Sequence, residues 1–293
     1  MTEVAAAAPA EIIPAVSARG ELPAWRLLIR RPSFLVGATM LLFWVVCALF
    51  GNAIAPHDPL AQQLLSINKP PSAAHWFGTD SLGRDVLSRV IVGAGPILTV
   101  APLATLLGTV LGTALGLAMG YFGGLLDALV SRLVEAVLAL PAVIVIFLFI
   151  VALGTSVSTL IIVIGFIFTP LIARTVRSAV QVERHLDYLS SARLLGERPI
   201  RIMFVEILPN VVPTVVVEFT VRLGYAIFAV ATLAFLGFSV QVSAPNWGSD
   251  INSSYGLLGA GYWWETLFPA LAIASLVVAI NLVADSIQQV VSE

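Results

Sequence analysis

Six stretches of this sequence are each long and apolar enough to cross a lipid bilayer: Ser33–Ala55, Ile97–Met119, Leu129–Leu153, Ser158–Val176, Val211–Phe238 and Trp264–Ser286. A helix rises about 1.5 Å per residue, so about 20 apolar residues cover the hydrocarbon core. The runs are continuously apolar rather than alternating, which argues against a membrane barrel. Helices follow, because backbone that faces lipid must satisfy its own hydrogen bonds. Composition agrees. Of 293 residues, 59% are hydrophobic and 11% charged, whereas a soluble domain carries about 25% charged residues. The chain therefore reads as an all-α membrane protein with six transmembrane helices, its uncharged surface turned to lipid. A net charge of −2 argues against nucleic acid as a partner. The single cysteine, Cys47, sits inside an apolar run and offers neither a disulfide framework nor a CxxC metal site.

Basic residues orient the spans. Arg19, Arg26, Arg30 and Arg31 precede the first span, and Arg132 follows the second. Arg174, Arg177, Arg184, Arg193, Arg198 and Arg201 follow the fourth, making 11 on one side. The other side holds three, Lys69, Arg84 and Arg89. This asymmetry predicts that both termini lie in the cytoplasm and that residues 56–95 and 239–263 lie outside. The organisation expected is a cytoplasmic tail over 1–32, a first helix over 33–55 and an outer segment over 56–95. A five-helix core over 96–288 then carries a cytoplasmic loop at 177–209 and an outer loop at 239–263. The tail is Ala/Pro-rich and lacks the ordered regions of a secretory signal, and Trp25 to Arg31 reads as a short interfacial helix. Tyr262, Trp263 and Trp264 cluster where the sixth span meets the outer interface, as amphipathic rings prefer.

Within the spans, Gly108, Gly112, Gly116 and Gly120 recur at strict four-residue spacing. They leave one helix face without side chains, open to close approach by a neighbour, either as static packing or as a face that slides. Glu218 and Arg222 fall at i, i+4 in the fifth span, on one helix face where each neutralises the other. Intramembrane charges are functional candidates; the two readings are a lining of the translocation pathway and a structural pair at a subunit interface. Asp127, Arg132 and Glu135 read as an interfacial salt-bridge group. His57, His75 and His185 show no metal-binding spacing, and the topology sets His185 across the membrane from the other two. No catalytic residues and no metal ligands are assigned.

The basic loop between the fourth and fifth spans is too polar for lipid and too patterned for a linker. Leu186, Leu189, Ala192 and Leu195 recur at three-residue steps and predict one apolar stripe on a short helix. Arg184, Asp187, Ser190, Ser191 and Arg193 fall between them. Gly196 ends this helix as a left-handed cap, a second short helix follows Pro199, and Leu208-Pro209 opens the fifth span. Such a helix–glycine–helix elbow suits docking into a groove on a partner protein.

Here the sequence resembles a known family. Tyr188-Leu189-Ser190-Ser191-Ala192, with Gly196 and Leu208-Pro209, is similar to the loop E-A-A-x3-G-x9-I-x-L-P of bacterial ABC importer permeases. Ser190 and Ser191 replace the Glu-Ala pair, and Glu206 stands at the Ile position. His75-Trp76-Phe77-Gly78-Thr79-Asp80-Ser81-Leu82-Gly83-Arg84-Asp85-Val86-Leu87-Ser88-Arg89 resembles the HPLGTDxxGRDVLSR signature of the C-type subunit of dipeptide, oligopeptide and nickel permeases. Thr232 to Phe238 with Pro245-Asn246-Trp247-Gly248, and Trp263-Trp264 with Leu267 to Ile273, resemble two further segments of that subunit.

The resemblance implies a permease subunit that moves peptides by alternating access, with nickel, haem or another small solute as alternative cargo. It implies that Asp187, Tyr188, Leu189, Ser190, Ser191, Ala192, Leu195, Gly196, Leu208 and Pro209 couple the helices to a cytoplasmic ATPase. The partners implied are that ATPase, a homologous second permease and an extracellular or lipid-anchored substrate-binding protein. The location implied is the bacterial cytoplasmic membrane. Asp80, Arg84, Asp85 and Arg89 are expected on a short amphipathic outer helix, as an ion-paired cap or as a receiving surface for the binding protein. Lys69 is the sole lysine and follows Asn68, so the chain has no GxxxxGK[ST] phosphate loop. ATP and magnesium therefore belong to partner subunits, and this chain is not the enzyme. The rival reading, an ion-driven carrier working through Glu218 and Arg222, lacks the internal repeat usual in such proteins.

Overall fold

The computed structural model describes residues 24–239 and 243–291. The tail expected over 1–32 thus lies outside the described residues as far as 23. The described residues are almost wholly helical. A short α1 (Ala24–Ile29) leads into α2 (Pro32–Ile54), which has Pro32 in its first turn, where a missing N–H costs nothing. An irregular segment runs to α3 (Val86–Val92), then α4 (Ala94–Phe122), α5 (Gly124–Leu138), α6 (Ala142–Leu153) and α7 (Val157–Glu183). The elbow follows as α8 (Asp187–Leu194), α9 (Pro199–Arg201) and a π-helical turn over Ile202–Ile207 that continues into α10 (Leu208–Phe235). Finally come α11 (Trp247–Ser254) and α12 (Trp264–Val291).

Among the described residues, five helical stretches are long and apolar enough to cross a membrane, and the α5–α6 pair makes a sixth when taken as one span. That pair departs from the straight third span expected over Leu129–Leu153. The two helices bend by 86° across Ala139–Pro141. Pro141 supplies the reason: proline disfavours the helical region for the residue before it and cannot donate a helix hydrogen bond. The fourth span is longer than its apolar core, since α7 carries Arg174 and Arg177 and ends only at Glu183.

The four-residue glycine pattern faces α7, and the two helices lie close along most of their length. A Cβ on Gly108 would sit 2.8 Å from the Gly165 carbonyl oxygen, and one on Gly112 2.7 Å from Ile172 Cβ. Gly116 and Gly120 meet Ala173 and Val180 equally tightly. No side chain fits in the seam, which is how a membrane bundle gains contact without a hydrophobic drive between helices. Around this pair, α10 packs on α4, α7 and α12, and α2 packs on α12. Leu42, Phe43, Leu49 and Phe50 on α2 stay exposed, as lipid-facing residues do. The bundle has two polar ends. One, the cap end, holds residues 55–93 and α11; the other, the elbow end, holds α8 and α9.

Candidate functional site

At the elbow end, α8 finishes in a Schellman cap. Gly196 takes φ 74°, its N–H donates to the Arg193 carbonyl, and Glu197 N–H donates to that of Ala192. The expected four-residue stripe divides in two. Leu189 and Ala192 are buried, whereas Leu186 is exposed and Leu195 is 82% exposed. One face of a helix this short covers about two turns, so the inner pair seats α8 and the ends overhang. Leu194, beside Leu195, is 89% exposed. Asp187, Ser190, Ser191 and Gly196 are also exposed, Leu208 is half-buried and Pro209 exposed at the start of α10.

Three long helices hold this elbow. Tyr188 Oη donates to Glu183 Oε2 at 2.7 Å, at the end of α7. Asn210 Nδ2, in the first turn of α10, donates to Tyr188 Oη at 2.8 Å. Burial, and then the bond to Glu183, push the Tyr188 phenol above its ordinary value, so it stays a neutral hydroxyl. The Arg193 guanidinium lies 5.3 Å from the centre of the Tyr121 ring on α4, within cation–π range. Asp127 departs from the group expected with Arg132 and Glu135. It pairs with Arg177 on α7, whose Nη2 donates to Asp127 Oδ2 at 2.7 Å. Arg132 and Glu135 pair with each other on the exposed face.

The cap end differs from the outer helix expected for Asp80, Arg84, Asp85 and Arg89. Only Arg89 lies in α3; Asp85 is its N-cap, and Asp80 and Arg84 sit in the preceding turn. Two glycines at positive φ, Gly78 and Gly83, make that turn, which sequence periodicity cannot register. All four charges are buried. Asp80 Oδ1 accepts the N–H of Leu82 and of Arg84, and Arg84 Nε donates to Asp80 Oδ2 at 2.6 Å. Asp85 Oδ2 accepts from Ser88 N and Oγ at 2.8 and 2.7 Å. Arg89 reaches Asp250 on α11, with Nε 3.2 Å from Oδ1, and also donates to the Pro59 carbonyl at 3.1 Å. Burial pushes the Asp250 carboxyl up, against the pull of Arg89. Trp247 and Trp264 add donors from their indoles to the carbonyls of Val90 and Thr79. A buried ionic network of this kind fixes geometry more than it adds stability.

Between the ends, Glu218 and Arg222 form the pair that their spacing predicts, Arg222 Nη2 lying 3.0 Å from Glu218 Oε2. Thr175 on α7 donates to Glu218 Oε1 at 2.9 Å. This third member comes from another span and left no local signal. Arg222 also borders an apolar cavity of about 350 Å³ between α6, α7 and α10, lined by Ile146, Phe168 and Tyr225 among others.

Comparison with known proteins agrees with this architecture. Residues 112–293 match the family described as binding-protein-dependent transport system inner membrane component. Residues 23–71 match the N-terminal TM domain of oligopeptide transport permease C. The dipeptide transport system permease protein DppC of Bacillus subtilis (strain 168) is 34% identical over 265 residues, covering 90% of this chain and 83% of DppC. The glutathione transport system permease protein GsiD of Escherichia coli O1:K1 / APEC is 35% identical over 268 residues, covering 90% and 87%. Among solved structures, a chain of the inward-facing MetNI methionine ABC transporter matches in fold, with a TM-score of 0.57 and 22% identity over 70% of this chain and 97% of that one. On these matches, over most of its length and in its helical fold, this chain belongs to the inner-membrane permease components of binding-protein-dependent ABC importers.

Proposed function

We propose that this permease carries peptides inward, as one half of a membrane pathway completed by a homologous second permease. The dipeptide and glutathione permeases to which it is similar share nine-tenths of its length and support peptides as the cargo class. In this reading the elbow end faces the cytoplasm, as the 11-to-3 division of basic residues requires. A separate ATPase subunit, holding ATP and magnesium, receives α8 in a groove, and a substrate-binding protein delivers peptide at the cap end. The observation that carries the mechanism is the anchoring of α8. Its buried face and the Tyr188 hydroxyl tie it to α7 and α10, while Leu194 and Leu195 stand free for a partner. A push on the overhanging leucines is passed to the membrane helices, because packed interfaces move as units rather than deform.

Reconstitution tests this. The chain, its partner permease, the ATPase and the binding protein are placed in liposomes, and uptake of a labelled dipeptide is followed. Uptake requires ATP and the binding protein, and an ion gradient without ATP gives none. Gradient-driven uptake in the absence of ATP would sink the importer mechanism; ATP-driven uptake that rejects every peptide would leave the motor and overturn the cargo.

A further inference from the structure

Two histidines and an aspartate from three separate segments meet at the cap end. His57 lies just past α2, His75 lies in the turn ahead of α3, and Asp85 caps α3. One ligand atom from each falls within 4.8 Å of the other two. His75 Nδ1 is 2.8 Å from Asp85 Oδ1, and His57 Nδ1 is 3.7 Å from that same oxygen. The imidazole rings face each other, with centroids 4.8 Å apart and planes inclined by 38°.

His75 Nδ1 and Asp85 Oδ1 are hydrogen-bonded to each other, and the remaining bonds that hold the three groups leave the converging atoms out. Ser88 occupies Asp85 Oδ2 through both its N–H and its hydroxyl, so Oδ1 is left to the histidines. The His57 N–H donates to Ser88 Oγ at 3.1 Å. The His75 N–H donates to Ser72 Oγ, and its carbonyl accepts from the N–H groups of Ser72 and Gly78. His57 Nδ1 is buried and has no hydrogen-bond partner. A buried nitrogen without a partner is costly, and at 3.7 Å protonation alone does not join it to Asp85. A cation between the three atoms would.

The donor set selects the cation. Two imidazole nitrogens and one carboxylate oxygen suit zinc and its neighbours, whereas calcium and magnesium prefer all-oxygen shells. Tetrahedral ligands at about 2.0–2.1 Å stand about 3.3–3.4 Å from one another. Two of the three separations, 2.8 and 3.7 Å, bracket that value, and the third is within 4.8 Å. The His57 side chain is 39% exposed, which leaves a path for the ion and room for a water as fourth ligand.

We propose that His57, His75 and Asp85 form a resident zinc site, which pins the chain leaving α2 to the N-terminus of α3. It is a fastening of the cap end and stands apart from the transport reading above.

The test uses the full-length chain with its co-purifying subunits, stripped with chelator and titrated with zinc against a chromogenic chelator. His57→Gln is the informative variant, since the His57 side chain makes no hydrogen bond and its loss leaves the Asp85 cap intact. Wild type is expected to hold one zinc per chain more than His57→Gln does, or to bind that zinc at least tenfold more tightly. His185→Gln is expected to match wild type. Cobalt in place of zinc should give the visible absorption of a tetrahedral nitrogen–oxygen site, absent in His57→Gln. The difference between wild type and variant removes cations held by other subunits. Equal zinc content and affinity in wild type and His57→Gln, or no cobalt spectrum in wild type, would overturn the proposal.

Discussion

Arg89 and Asp250 are both buried, come from positions 161 residues apart, and each neutralises a charge that has left water. Removing one partner strands the other, which costs about 3–5 kcal/mol in comparable pairs, while replacing both by apolar groups is often neutral. Arg89→Met is therefore expected to lower the thermal unfolding temperature of the detergent-solubilised protein by several degrees. Arg89→Met combined with Asp250→Leu should recover most of the loss. A double variant as unstable as the single one would show that packing, not charge, holds the cap. Glu218 and Arg222 make a contrasting case. Each is held by the other, and Glu218 also by Thr175, so Glu218→Gln should reduce the yield of assembled protein while uptake per assembled complex stays within about twofold. Uptake lost at full yield would return the pair to the translocation pathway. Tyr188 gives a pH signature. Its phenol titrates above its ordinary value, so its contribution is complete below about pH 10 and is lost only as pH rises from there through the raised value. Tyr188→Phe should remove that alkaline loss of elbow order, read as amide exchange around α8. At this scale the sequence disclosed neighbours only. The i, i+4 pair in the fifth span was legible, whereas Asp250 and Thr175 were not, because partners from other elements leave no local period.

The seam between α4 and α7 is the element on which the bundle turns. Gly112 shows why: a Cβ there would meet Ile172 Cβ at 2.7 Å and the Thr169 carbonyl oxygen at 2.8 Å, and neither backbone nor a β-branched stem can swing aside. Gly112→Leu should force the helices apart and abolish accumulation of folded protein in the membrane, beyond the about 1–3 kcal/mol usual for overpacking. Gly95→Ala, on the same helix with its nearest neighbour 3.7 Å away, should accumulate normally. Normal yield and uptake from Gly112→Leu would mean that the seam opens in the working cycle, the sliding reading of the same face. Four-residue glycine spacing made this face legible in sequence, because the period of the residues is the period of the contact. The α5–α6 bend was not legible. Hydropathy sums apolarity without direction, so Pro141 was absorbed into a straight span although it turns the chain by 86°. The cap turn escaped for a related reason: its shape comes from Gly78 and Gly83 at positive φ, and a helical reading of the charges between them places Asp80 and Arg84 on an element that begins only at Val86.

Across the whole molecule, the proposed coupling requires the two faces of the elbow to keep a fixed relation. The inner face is set by Leu189, Ala192 and the Tyr188 bonds; the outer face by Leu194 and Leu195 at the end of the same helix. The Schellman cap at Gly196 then fixes where the chain turns toward Pro199 and α10. Spacing made the place of the turn legible, since the interval from Ala192 through Gly196 to Pro209 matches the family loop even where Ser190 and Ser191 replace its Glu-Ala pair, whereas the single stripe expected through Leu195 did not disclose the two faces. One residue inserted between Ala192 and Gly196 tests the fixed relation directly. A helix turns about 100° and rises about 1.5 Å per residue, so the insertion leaves the inner face seated and rotates the outer leucines out of the partner's groove. In liposomes containing the complete importer, ATP hydrolysis should persist while peptide uptake per ATP falls at least tenfold. An insertion elsewhere, in the exposed turn around Gly259, should leave that ratio unchanged, because that turn touches neither face. If the insertion beside Gly196 leaves the ratio at the wild-type value, force does not pass through α8.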